Sequence, residues 1–90
     1  MVPRSLGEVG QLMFYVYILE LSSKSYYIGY TDDLRRRLQE HKAGFVESTV
    51  TYKQKSLVTY IAFNSKNKAL KFETYLKTGS GFAFRNRHLV

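Results

Sequence analysis

Apolar and polar positions follow two different rhythms along this chain. Residues 13–21, MFYVYILEL, form a nearly unbroken aromatic and β-branched run, which predicts a buried strand. SSKS at 22–25 is a turn, and YYIGY at 26–30 predicts the returning strand of a hairpin. The rhythm then becomes helical. Thr31 or Asp32 is the expected N-cap, the helix runs to about Ala43, and Gly44 is the stop. Residues 45–55, FVESTVTYKQK, are polar and threonine-rich and are expected to be a loop. SLVTYIAF at 56–63 predicts a third strand. Ser65 caps a second helix over 66–77, which Gly79 ends, and 80–90 forms a short last helix with a basic end. The order β-β-α-β-α-α predicts an α/β (α+β) domain: a small three-stranded sheet, at least partly antiparallel, flanked by helices.

The helical rhythm also locates polar groups that face inward. At about 100° per residue, Arg37 and His41 share the face that Leu34 and Leu38 bury, while Arg36 points away. An arginine on the inner side of a helix is costly unless it is paired or lines a cleft. His41 by itself fits a satisfied, half-buried imidazole. On the second helix Glu73 falls within the apolar arc of Phe72, Leu76 and Ala69. A carboxylate facing a core needs a cation, hydrogen-bond donors or a metal. A buried pair with Arg37 is one solution, and a hard divalent cation is another. Tyrosines 15, 17, 26, 27 and 30 crowd the hairpin, with Tyr15 and Tyr17 on one face of their strand. Gly29, late in the second strand, allows an unusual turn or a close backbone approach.

Ninety residues, 44% hydrophobic and 16% aromatic, suit one domain and are too apolar for a disordered chain. The domain is expected over 13–90. Residues 1–12 have no long apolar run, make a poor signal peptide and are expected to be a loosely ordered leader. The chain has no cysteine, which excludes disulfides, thiolate metal sites and a cysteine nucleophile and fits a cytoplasmic location. No stretch approaches the roughly 18 apolar residues of a membrane span. The net charge of +7, with a pI of about 9.8, favours a polyanionic partner.

YVYIL at 15–19, YYIG at 26–29 and TDDLRRRLQEH at 31–41 together resemble the GIY-YIG nuclease superfamily. The segment 56–89 is similar to its small single-domain branch. The resemblance covers 14–89. It implies a three-stranded antiparallel sheet flanked by helices and metal-dependent cleavage of DNA, in repair or processing. It carries Tyr17 onto the tyrosine of the first motif, although YVY stands here in place of Gly-Ile-Tyr. It carries Tyr27 onto the tyrosine of the second motif, Arg37 onto the helical arginine, His41 onto the His or Tyr one turn later, and Glu73 onto the metal-binding glutamate. Asn86 is the nearest counterpart of a further asparagine.

On that resemblance Glu73 would hold one Mg²⁺ or Mn²⁺. Tyr27 would help take a proton from the attacking water, and Tyr17 would orient that water or Tyr27. Arg37 would bind the scissile phosphate, and His41 would hold it or shuttle a proton. Arg35, Arg36, Lys66, Lys68, Lys71, Arg85 and Arg87 would grip the flanking DNA backbone. Two other readings stay open at this stage. One is a non-catalytic nucleic-acid-binding module; the other is a structural α/β domain in which Arg37 and Glu73 form a buried pair.

Overall fold

The computed structural model describes residues 12–90; the rest of the expected leader lies outside the described residues. The chain runs β1 (Phe14–Leu21), β2 (Tyr26–Thr31), α1 (Leu34–Lys42), a 3-10 turn (Glu47–Thr49), β3 (Lys55–Phe63), α2 (Lys66–Leu76) and α3 (Gly79–His88). The sheet order is β2-β1-β3, and both pairings are antiparallel. The expected architecture and element order are present.

The central strand explains the sheet. β1 is the middle strand, and its continuous apolar run gives it an apolar surface on both faces. Tyr15, Tyr17, Leu19 and Leu21 face Leu34 and Leu38 of α1. Val16 and Ile18 face Ala69 and Leu76 of α2, with Phe72 alongside. Strand periodicity thus splits one run into two cores, and the helices lie on opposite sides of the sheet. The β1–β3 register shifts at Ile18/Leu19, where Thr59 pairs with Ile18 and Leu57 with Leu19. Val58, between them, is left exposed, as in a bulge.

Helix ends follow side-chain chemistry. α1 is capped by Asp33, whose side chain accepts from Arg36 N at 3.1 Å. Neither Thr31 nor Asp32 is the cap, because Thr31 is still the last residue of β2 and its hydroxyl accepts from Asp33 N. Gly44 takes φ +82° just past the end of α1 and lets the chain turn away, as its residue type predicts. Ser65 caps α2 through Lys68 N.

Two expectations are corrected. α2 stops at Leu76, and Gly79 does not end it; Thr78 caps α3, and Gly79 is the first residue of that helix. The segment 45–55 is not all loop. It contains the 3-10 turn, which carries the fully buried Thr49 inward.

The tight junction between α2 and α3 depends on Gly81, where a Cβ would meet the Tyr75 carbonyl. Gly81→Ala should therefore destabilise the protein by about 1–3 kcal/mol, as overpacking against rigid backbone does. Gly79→Ala, with nothing within 4 Å of its Cβ, should be neutral or slightly stabilising. Urea unfolding of the two variants checks the contrast.

Candidate active site

Tyr17 and Gly29 are direct cross-strand partners. The Tyr17 ring lies across the Gly29 α-carbon, where any Cβ would collide with the phenol. Gly29 has no positive φ and makes no special turn. Of the two roles open to it, it takes the close approach. Its bare α-carbon lets the fully buried Tyr17 pass over β2 and reach α1.

There the Tyr17 hydroxyl meets His41 Nε2 at 2.7 Å. His41 Nδ1 is 2.7 Å from Thr49 Oγ1, and the imidazole is 1% exposed. The directions follow from Thr49, whose hydroxyl donates to the Val46 carbonyl and so accepts from His41 Nδ1–H. Nε2 is then bare and accepts the Tyr17 proton. Burial is the main cause that pushes the His41 pKa down to about 4, with the Arg37 and Lys55 cations adding to it. Burial likewise raises the Tyr17 phenol to about 12. A neutral imidazole therefore anchors a permanently protonated phenol at neutral pH. Lys55 closes the back of this assembly, its ammonium donating to the His41 carbonyl at 2.8 Å.

The other face of the Tyr17 hydroxyl looks out onto charge. The Arg37 guanidinium lies against it and lowers its pKa, in part offsetting burial; Tyr27 and Glu73 act in the opposite sense. Arg37 is half-buried and donates from Nη1 to Glu40 Oε1 at 3.0 Å. The Tyr27 ring sits 5.1 Å from His41 and 6.2 Å from Tyr17, centroid to centroid. Glu73 comes from α2, on the opposite side of the sheet, yet its charge reaches both Tyr17 and Tyr30. Its side chain is 20% exposed and pairs with Lys77 at 3.4 Å.

The structure therefore brings together Tyr17, Tyr27 and Arg37 from three different elements, with His41 behind them, and sets Glu73 of α2 within electrostatic range of Tyr17. Arg37 pairs with Glu40 and Glu73 with Lys77, and no Arg37–Glu73 ion pair occurs among the described residues. The buried-pair expectation is overturned because each residue finds its partner one turn away on its own helix.

Arg35, Arg36, Lys66, Lys68, Lys71 and Arg87 are exposed. Arg36 shares its charge with Asp32 and Glu40. Arg85 differs: it is 8% exposed, its guanidinium lies 5.0 Å from the Tyr26 ring and 4.1 Å from the Phe82 ring, and it donates to Asn86 Oδ1. Asn86 is thereby engaged with Arg85.

The sequence reading missed Glu40 and Thr49. Glu40 carries a legible signal, an opposite charge three residues from Arg37. Thr49 carries none, since it arrives from a polar loop.

The model of the GIY-YIG catalytic domain matches residues 13–86. The chain belongs to the GIY-YIG family. It is 41% identical over 64 residues to UPF0213 proteins of Streptococcus pyogenes serotypes M5 and M2, a match that covers 70% of this chain and of each relative. It also resembles the solution NMR structure of a UPF0213 protein from Bacillus halodurans, at 34% identity and a TM-score of 0.52 over 81% of both chains.

GIY-YIG membership explains why the two tyrosine motifs face each other across adjacent strands: the glycine of the second motif is the surface on which the tyrosine of the first rests. Gly29→Ala should displace the Tyr17 ring and expose His41, which near-ultraviolet circular dichroism would register as lost tyrosine asymmetry.

His41 also sets a pH dependence. Its native pKa lies below the unfolded value of 6.5, so in between the unfolded chain binds the extra proton. Stability should be full above about pH 6.5 and fall by about 3 kcal/mol by pH 4, at roughly 1.4 kcal/mol per unit. Urea midpoints across that range measure the slope, and His41→Gln should flatten it.

Proposed function

We propose that this protein is a metal-dependent endonuclease that hydrolyses DNA phosphodiester bonds. The observation that carries the reading is the placement of the Arg37 guanidinium and a second phenol, Tyr27, beside Tyr17, with the Glu73 carboxylate within electrostatic range. The basic surface of a +7 chain supports a polyanionic substrate. Family membership supports the reaction class.

A divalent ion suits the donors present. Glu73 is a half-buried carboxylate whose ion-pair partner is a flexible surface lysine. No cluster of three His, Cys, Asp or Glu side chains occurs among the described residues. One carboxylate completed by water and substrate phosphate fits Mg²⁺ or Mn²⁺, which keep several non-protein ligands. Glu73 would hold the ion, whose chemistry is to offset charge on the phosphate and the departing oxygen.

The remaining steps belong to the chain. Arg37, held by Glu40 against Tyr17, binds a non-bridging phosphate oxygen with its free N–H groups. Tyr17 spends its proton on His41, so its buried oxygen is left as an acceptor that positions the Arg37 guanidinium. Tyr27, the less buried phenol, takes the attacking water's proton as it releases its own to bulk solvent. Water attacks phosphorus, the bond to the 3′ oxygen breaks, and a 5′-phosphate and a 3′-hydroxyl result. His41 acts as a positioning residue, because both its nitrogens are already hydrogen-bonded inside the protein. Exposed Arg35, Arg36, Lys66, Lys68, Lys71 and Arg87 would hold the flanking backbone, with a role in DNA repair or processing.

Labelled duplex and single-stranded DNA should be nicked with Mg²⁺ or Mn²⁺ and remain intact in EDTA. Glu73→Gln should lose at least about 100-fold in rate, the scale of a charge-stabilising group. Its folding stability should change by less than about 1 kcal/mol, because the lysine it pairs with is largely in solvent and glutamine keeps the side chain's shape. Salt-sensitive binding with no cleavage on either substrate would overturn the nuclease and leave a nucleic-acid-binding module.

A further inference from the structure

A second feature adjoins the candidate site on the α2–α3 side of β2. A groove of about 380 Å³ is lined by Tyr26, Tyr27, Ile28, Leu76, Lys77, Phe82 and Arg85. Ile28 and Leu76 are buried and form an apolar base. Phe82 is 51% exposed at the rim of this groove. Arg85 is the reverse, a buried cation whose guanidinium lies over both the Phe82 and Tyr26 rings. This stacking fixes the exposed ring in place and gives the groove a preset flat wall.

We propose that this groove receives a single unpaired nucleobase, stacked on Phe82, from the strand whose phosphate occupies the Arg37–Glu73 site. The proposal rests on the nuclease reading of that site and adds its substrate class: DNA with unpaired nucleotides beside the cut.

Three observations select this occupant. The groove is continuous with the candidate site at two points, through Tyr27 and through Lys77, the ion-pair partner of Glu73. Its lining combines aromatic faces and an apolar base with two cations, which matches a flat base joined to an anionic backbone. Its volume has room for a nucleobase. A base inside a duplex has both faces covered by its neighbours, so only an unpaired or extruded one reaches such a wall. Arg85, assigned by sequence to the phosphate backbone, acts here as a positioning residue that holds the Phe82 ring.

The test uses the full chain in EDTA, so that binding is read without cleavage. The probes are a single-stranded oligonucleotide carrying 2-aminopurine and a fully paired duplex of the same length. The wild type should quench the 2-aminopurine and bind the single strand in preference to the duplex. Phe82→Leu should weaken single-strand binding by at least about fivefold, the low end of one base–aromatic stack, and leave duplex binding unchanged. Phe82→Tyr should restore both affinity and quenching. Equal losses on both probes, no loss on either, or no single-strand binding at all would overturn the proposal.

The two readings fail separately. Preserved stacking without metal-dependent cleavage removes the nuclease and leaves the groove. Cleavage whose strand preference ignores Phe82 removes the groove and leaves the nuclease.

Discussion

The hydrogen bond between Tyr17 and His41 is the contact on which the candidate site depends. It spans 2.7 Å in the dry interior between β1 and α1. A buried phenol and a buried imidazole are each costly to leave unpaired. Here one bond satisfies both, and Thr49 takes the remaining ring nitrogen. The chain of donors therefore has one direction, from Tyr17 through His41 and Thr49 to the Val46 carbonyl. Nothing in it is free to titrate near neutrality, because burial holds the imidazole low and the phenol high. That fixity leaves the outer face of the Tyr17 oxygen as a preset acceptor beside Arg37.

Gly29 makes this contact sterically possible, and the sheet makes it geometrically inevitable. β1 is central, so its odd residues face α1 and its even residues face α2. Tyr17 is on the α1 side by parity, opposite Gly29 by register. A shift of one residue would turn Tyr17 toward α2 and leave His41 without its partner. Core packing and site chemistry are therefore one constraint. The same strand that fills both cores sets the direction of the phenol.

The cations divide by environment. Arg37 is held by Glu40 in a half-buried position, which orients its guanidinium. Arg85 gives its charge to two aromatic faces inside the fold. The exposed lysines and arginines form a positive surface, on which Arg36 also pairs with Asp32 and Glu40 and Lys77 with Glu73. Among the described residues the cations thus differ in kind: Arg85 is stacked on aromatic rings, Arg37 and Lys55 are held by fixed acceptors, and others face solvent.

The sequence by itself determined the elements, their order and the inward turn of Arg37, His41 and Glu73. These depend on local rules: strand parity, helical spacing, and cap and stop chemistry. The spacing of the tyrosine motifs marked the family for the same reason, since it reflects a hairpin with its strands in register. Only the tertiary structure decided what each inward group meets. Arg37 and Glu73 looked like partners for each other because each lacked a visible counter-charge in the core, yet each pairs with a residue on its own helix. The link between His41 and Thr49 spans a segment with no periodicity, so no local pattern encodes it. Arg85 looked like a surface cation because basic residues near the end of a helix ordinarily are. It is buried because the close approach of α3 to α2 at Gly81 carries Phe82 and Arg85 onto the β2 edge. Pairwise contact between distant segments is a property of the packed chain, and residue type and spacing do not contain it.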